Sequence, residues 1–289
     1  MRRSPADYPR PPFPEQSQEL PGSFRAMSPV PDHGETSWRG TGRLEGRVAL
    51  ITGGDSGIGR AVAIAYAREG CDLVICHLPG ESDAADTADL LGREGHRVLT
   101  LAADLSKRAD CLSVIRRAAA EFGRIDILVN NAAHQQHYNC LEDISPEAWA
   151  YTFAVNVDAI FHLVQAALPY MSAGSSIINT VSINSDAPNP GLLPYACTKG
   201  AVHNLTAGLA QSLAPRGIRV NCVAPGPVWT PLIPATLPAE DVKTFGAKYP
   251  MGRPAQPAEL AGVYVMLAEE TSGYISGATV AVTGGKPFL

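Results

Sequence analysis

The stretch Val48-Ala49-Leu50-Ile51-Thr52, running into Gly53-Gly54-Asp55-Ser56-Gly57-Ile58-Gly59-Arg60, constrains this chain more than any other. A short apolar and β-branched run reads as a buried strand. Gly53, Gly57 and Gly59 then permit a tight turn and a close approach of backbone to a ligand. Beyond them Ile58, Val62, Ala65 and Tyr66 recur at helical spacing. Strand, glycine turn and helix in that order predict a dinucleotide site, with a pyrophosphate on the helix N-terminus. The competing reading is an ordinary glycine-rich turn, and the flanking strand and helix argue against it.

The same rhythm continues. "CDLVIC", "RVLTLAAD", "IDILVNNAA", "SSIINTVS", "GIRVNCVAPG" and "TVAVTGG" read as further strands. Leu112, Ile115, Ala119 and Phe122 mark a helix, and Ser145-Pro146-Glu147 reads as an N-cap followed by proline at the first helical position, opening a helix to about Met171. Another helix is expected over 195–214. Strands alternating with helices predict an α/β class: one Rossmann-type, doubly wound parallel sheet with helices on both faces. We expect it to occupy residues 44–289, preceded by an irregular arm over 1–43.

That arm is proline-rich, with eight prolines in its first 40 residues. Proline removes backbone donors and fixes φ, which excludes regular helix or a central strand. A disordered tail is one reading. Phe13, Phe24, Met27 and Trp38 favour another, an extended arm laid on the body or on a neighbouring subunit. Arg2 and Arg3 are not expected to act as an export signal, because prolines follow them in place of an apolar segment.

With 289 residues, net charge −5 and pI about 5.8, no strong field attracts nucleic acid or anionic lipid. No apolar run is expected to cross a membrane. The six cysteines are scattered along the chain without a Cys-x-x-Cys pair, which predicts free thiols and a cytoplasmic protein.

Two further places carry chemistry. The second strand ends Ile75-Cys76-His77-Leu78, with no carboxylate at its tip to bind a ribose 2′-hydroxyl. NADP(H) is therefore the expected cofactor, with NAD(H) also admissible, and His77 either faces a phosphate or has no role. In "YACTK", Tyr195 and Lys199 share one helix face. A nearby ammonium favours a phenolate and so lowers the tyrosine pKa toward use as an acid or base. A plain surface pair is the other reading. Ser182, thirteen residues before Tyr195, falls at the end of the fifth strand, where α/β sheets open their ligand crevice. Asn156, inside the apolar run "FAVNVDAIF", is either a satisfied core amide or a functional group.

Together "TGGDSGIG", "NNAA", Asn156, Ser182, "YACTK" and "PGPVWT" resemble, in order and spacing, the short-chain dehydrogenase/reductase family over residues 44–289. The arm and the ending "VTGGKP" look like a bacterial branch with an N-terminal extension, which includes glucose/ribitol-dehydrogenase-like and aldehyde-reductase-like proteins. The resemblance implies an NAD(P)(H)-dependent oxidoreductase that interconverts an aldehyde or ketone and its alcohol, and a homotetramer. It implies that Tyr195 is the acid or base, that Lys199 lowers its pKa and holds the nicotinamide ribose, that Ser182 polarises the substrate oxygen, and that Asn156 fixes a water. The cofactor would meet Gly53, Asp55, Ser56, Gly57, Ile58, Gly59, His77, Asp104 and Leu105 at its adenosine and pyrophosphate end. Asn130, Ala132, Pro225, Gly226, Val228 and Thr230 would meet the rest. Ala133 stands where the family usually has glycine, and Cys197 where it often has serine.

Gln135, Asn184 and Trp229, with Ser182, are the expected substrate contacts, beside His134 and Leu192; Trp229 is alternatively core. A lid is expected over about 228–250, irregular because of Pro231, Pro234 and Pro238. His134 and His137 lack a spaced third ligand, so no metal is expected. A dinucleotide-binding sensor without chemistry is the alternative function. A nucleotide-sugar epimerase would need a larger C-terminal part. Enoyl reductases usually space the Tyr and Lys more widely.

Overall fold

The protein was analysed as a computed structural model that describes residues 7–80 and 82–288; Arg2, Arg3 and Pro5 of the arm lie outside that range. Seven strands form one sheet in the order β3-β2-β1-β4-β5-β6-β7, every neighbouring pair parallel. In chain order these are β1 (Val48–Thr52), β2 (Asp72–His77), β3 (Val98–Ala102), β4 (Ile127–Asn130), β5 (Ser176–Thr180), β6 (Arg219–Pro225) and β7 (Thr279–Val282). All five residues of β1 are buried, as expected for a central strand covered on both faces. Alternate side chains serve opposite cores. Leu50 joins a cluster with Val114, Ile160, Leu163 and Val202, while Ala49 and Ile51 join Val62, Tyr66, Leu260 and Tyr264. The strand order reverses between β1 and β4, and the crevice beyond the strand ends at that reversal is where such folds bind ligands.

The helices are α1 (Gly57–Arg68), α2 (Asp83–Gly92), α3 (Arg108–Phe122), α4 (Pro146–Phe153), α5 (Ala159–Ala167), α6 (Leu193–Leu213), α7 (Leu232–Thr236), α8 (Ala239–Lys243) and α9 (Ala258–Ala268). The Ser145 side chain accepts from the Ala148 N–H and caps α4, with proline in its first turn. A π turn, Ala154–Asp158, joins α4 to α5 and carries Asn156. The continuous helix Pro146–Tyr170 is 25 residues long with mean hydropathy 1.2, enough by length and composition alone to cross a membrane. This differs from the expected absence of such a run, because Asn156, Asp158 and His162 break its apolar pattern in the sequence. Its inner residues Ala159, Ile160, Leu163, Val164 and Ala167 are buried in the core with α3 and α6.

The arm lies on the body of its own chain. Phe13, Phe24 and Met27 are buried, and Trp38 packs against the α1–α9 core. The Ser23 hydroxyl and the Phe24 N–H donate to the Asp83 carboxylate, at 2.6 and 2.8 Å, where α2 begins. Farther back, the Phe13 N–H donates to the Lys243 carbonyl and the Gln18 N–H to the Pro234 carbonyl, both at 2.9 Å. The segment 228–250 therefore holds two short helices strapped down by the arm, and is more regular than its prolines suggest. Trp229 is the clearest correction. It is 0% exposed, its ring centre lies 4.2 Å from that of Phe13, and its indole N–H donates to the Pro29 carbonyl. It is core between arm and lid and does not face the cavity.

Candidate active site

A cavity of about 910 Å³ runs along the strand ends from the tips of β2 and β3 to the lid. Its floor begins at the glycine turn. Gly53 and Gly57 have φ of 61° and 50°, which only glycine adopts without strain. A Cβ on Gly57 would lie 3.1 Å from the Thr230 methyl, so the turn and the 228–230 segment touch only because that side chain is missing. The Ser56 side chain makes no cap hydrogen bond at the start of α1. The first N–H groups of α1 are thus open to an anion. These features fit a dinucleotide pyrophosphate.

Asp55, Ser56, Gly57, Ile58 and Gly53 line this end, with His77, Asp104 and Leu105. Asp104 is held below the usual carboxylate range by hydrogen bonds from Ser106 and Lys107, against the opposing effect of partial burial. Ala132, Pro225, Gly226, Val228 and Thr230 line the middle. Gly59 does not line the cavity. A Cβ there would sit 1.9 Å from the Gly53 carbonyl oxygen, so it serves the close seating of α1 on the turn. Asn130 also departs from expectation: its amide donates to Asn179 on β5 at 2.9 Å and it lies beneath the cavity. Its neighbour Asn131 lines the wall, with its Nδ2 3.2 Å from both the Thr52 and Gly53 carbonyls.

At the far wall Ser182, Tyr195 and Lys199 meet. Ser182 stands two residues beyond β5, and Tyr195 and Lys199 sit in the first two turns of α6. The Ser182 hydroxyl accepts from the Asn184 backbone N–H at 3.1 Å, and its nearness favours the ionised Tyr195 phenol. The Lys199 ammonium donates to the Thr180 carbonyl at 2.7 Å, with the Tyr195 ring centre 5.4 Å from Nζ. Burial pushes the Tyr195 phenol up to about 12, partly opposed by the nearby Ser182 hydroxyl, and pushes Lys199 down to about 8. The expected lowering of Tyr195 by Lys199 is thus not seen here. Desolvation dominates, and the ammonium is turned to a backbone carbonyl.

Asn156 is fully buried outside the cavity. Its Oδ1 accepts from the His134 N–H at 2.7 Å, and its Nδ2 donates to the His134 carbonyl and to the Thr198 hydroxyl, both at 2.9 Å. It anchors the loop after β4 to α6, one residue from Lys199. Gln135 and Asn184 both line the cavity. The Gln135 amide donates to the Thr236 hydroxyl of α7, and Asn184 donates through its backbone N–H to Ser182 Oγ at 3.1 Å. His134, His137 and Leu192 line it as well; burial lowers His134 below its ordinary value. Among the described residues no three His, Cys, Asp or Glu side chains gather as a metal ion would require.

Sequence reasoning missed several lining residues: Leu20 and Pro21 of the arm, and Tyr249 and Lys286 near the chain's end. No local pattern signals them, because each reaches the cavity through tertiary contact.

A family model described as enoyl-(acyl carrier protein) reductase matches residues 53–286. The uncharacterized oxidoreductase YhdF of Bacillus subtilis (strain 168) is 46% identical over 273 residues, 94% of each chain. The glucose and ribitol dehydrogenase homolog 2 of Arabidopsis thaliana is 46% identical over 281 residues, 94% of this chain and 97% of that one. Among solved structures, a short chain dehydrogenase from Burkholderia cenocepacia J2315 in complex with NADP superposes with a TM-score of 0.78 at 31% identity, covering 84% of this chain and 98% of that one. A 3-ketoacyl-(acyl-carrier-protein) reductase from Brucella melitensis complexed with NADH gives 0.75 at 34% identity, with the same coverages. The seven-stranded parallel sheet, the glycine turn beneath its crevice and these likenesses together show that the chain belongs to the short-chain dehydrogenase/reductase family, and so is an oxidoreductase.

Proposed function

We propose that this oxidoreductase interconverts an aldehyde or ketone and its alcohol with a nicotinamide dinucleotide. When bound, the dinucleotide donates or accepts the hydride. The observation that carries this reading is the convergence of Ser182, Tyr195 and Lys199 on one wall of a cavity whose other end is the open N-terminus of α1.

The residues divide the work. The Gly53–Gly59 turn and the start of α1 bind the pyrophosphate. Tyr195, kept protonated by burial, donates its proton to the developing alkoxide in reduction and takes one back in oxidation. Ser182, on the same wall of the cavity as the phenol, orients the substrate oxygen beside it. Lys199, which donates to the Thr180 carbonyl, would also be a donor for a sugar hydroxyl of the dinucleotide, and its ammonium turned toward the phenol would stabilise a phenolate. Asn156 acts as a positioning residue through His134 and Thr198. Gln135, Asn184 and Leu192 offer polar and apolar contacts that suit a polyol, a sugar or a small aldehyde.

A tetramer follows from the family resemblance, and Trp149 and Phe161 on the helix Pro146–Tyr170 are exposed enough to pack against another copy. Light scattering on the purified protein tests this. All six cysteines are free thiols, which fits the reducing cytoplasm.

The test follows the reduced-nicotinamide absorbance with aldehydes, ketones, polyols and enoyl thioesters, using each dinucleotide. Turnover with carbonyls or alcohols supports the proposal. Turnover with enoyl thioesters alone replaces it with double-bond reduction. Dinucleotide binding without any turnover favours a sensor.

A further inference from the structure

Phe13 and Phe24 of the arm are buried, but none of residues 14–23 between them is. Side-chain hydrogen bonds still give that span a shape. Gln18 closes it into a loop: its Oε1 accepts from the Ser23 N–H at 2.7 Å and its Nε2 donates to the Ser23 carbonyl at 3.2 Å. Gln16 adds a second tie, accepting from the Ser28 N–H at 3.0 Å and donating to the Ser28 carbonyl at 2.6 Å. Leu20 and Pro21 lie between the closing residues of the loop, and both line the cavity.

The loop stands on two supports. On one side the Gln18 N–H donates to the Pro234 carbonyl of α7, and a Cβ on Gly22 would lie 3.0 Å from the Pro231 carbonyl oxygen, so the backbone lies against the start of that helix. On the other side the Ser23 hydroxyl and the Phe24 N–H hold the Asp83 carboxylate at the start of α2. Both supports adjoin the glycine turn. Thr230, next to Pro231, meets Gly57, and Thr87, one turn along α2 from Asp83, donates through its hydroxyl to the Asp55 carbonyl at 2.6 Å. Leu20 and Pro21 therefore bridge the lid and α2 beside the stretch of cavity that the glycine turn floors.

Two features suit this bridge to movement. Leu20 is 44% exposed although it is large and apolar, so a ligand that covered it would gain by removing that surface from water. The loop is fastened by hydrogen bonds alone, and a span without buried side chains opens locally at little cost. The flanking anchors keep the arm in place while it does so. The Phe13 ring packs on Trp229, and the Arg60 guanidinium carbon lies 4.5 Å from the Phe24 ring centre.

We infer that loop 18–23 is a gate on dinucleotide exchange: it lifts to admit the dinucleotide and closes on it through Leu20 and Pro21. The inference rests on the dinucleotide reading above and holds for either form of the dinucleotide. A gate slows entry and release together, whereas a simple contact slows release alone.

The experiment measures entry and release rates of NADH and NADPH by stopped-flow nicotinamide fluorescence on the full chain, for the wild type, Gln18→Ala and Leu20→Ala. Neither position is buried, so both variants keep the core intact. Gln18→Ala unfastens the loop without touching a cavity-lining side chain, and should raise both rates about tenfold. Leu20→Ala removes the apolar cover and should raise the release rate about tenfold. In the wild type, saturating dinucleotide should also slow cleavage after the exposed Glu19 by a glutamate-specific protease. An entry rate unmoved by Gln18→Ala, or cleavage at Glu19 indifferent to dinucleotide, overturns the gate while leaving the dinucleotide reading in place. Binding of neither dinucleotide overturns that reading, and the gate with it.

Discussion

The Lys199 ammonium lies 5.4 Å from the Tyr195 ring centre and gives its hydrogen bond to the Thr180 carbonyl. Two buried titratable groups therefore face each other without neutralising each other, and both are shifted by burial. Lys199 falls to about 8, so between pH 8 and its ordinary value of 10.5 the unfolded chain binds a proton that the folded chain has lost. Stability attributable to Lys199 therefore rises with pH across that window. Tyr195, raised to about 12, works in the opposite direction above its ordinary value of 10.0. Denaturation of wild type and Lys199→Met, compared from pH 7 to pH 10, should show the wild type gaining on the variant by up to about 3 kcal/mol. A constant difference would contradict the assigned burial of the ammonium.

Phe13 holds the arm to the lid through its face on Trp229. Phe13→Ala should cost about 3 kcal/mol. Because Phe13 and Trp229 share one small buried cluster with Ile233 and Val242 of the lid, loss should appear first as cleavage within 228–250 under limited proteolysis, before global unfolding. Unchanged cleavage would mean the lid stands without the strap.

Much of this architecture was legible in the chain because it is written locally. The β1 strand, the glycine turn and the start of α1 combine a period, a breaker and a second period. The Tyr195–Lys199 spacing fixes a shared helix face. Helix α9 was not legible: it is apolar on nearly every side, since it is packed against α1 and the sheet and touched by Trp38, so no polar face marks its turn. The parts of the site that went unread depend on contacts across distance. Asn130 and Asn131 are adjacent in sequence, but the register of β4 on β5 turns the first to Asn179. Leu20 reaches the cavity only because the arm is tied to Asp83 and Pro234.

Gly59 and Gly123 test the reading of the turn. A Cβ at Gly59 meets the Gly53 carbonyl, whereas at Gly123, with φ of 76°, it meets nothing within 4 Å. Gly59→Ala should weaken dinucleotide binding by at least about tenfold. Gly123→Ala should cost about 1–2 kcal/mol of stability and leave binding unchanged. Calorimetric titration of both variants checks this.

Asn156→Ala strands the His134 N–H and carbonyl and one side of Thr198. A loss of about 2–3 kcal/mol is expected. Since the amide acts through its neighbours, turnover should fall more than dinucleotide affinity does. Equal losses in both would point to a purely structural role.

The most direct test compares wild type with Tyr195→Phe, measuring turnover and dinucleotide affinity together on the carbonyl or alcohol that the wild type accepts. Removing the phenol proton should cut turnover by about 10²–10⁴-fold and leave affinity within a few-fold. Undiminished turnover in the variant would contradict the assignment of Tyr195 as the group that moves the proton.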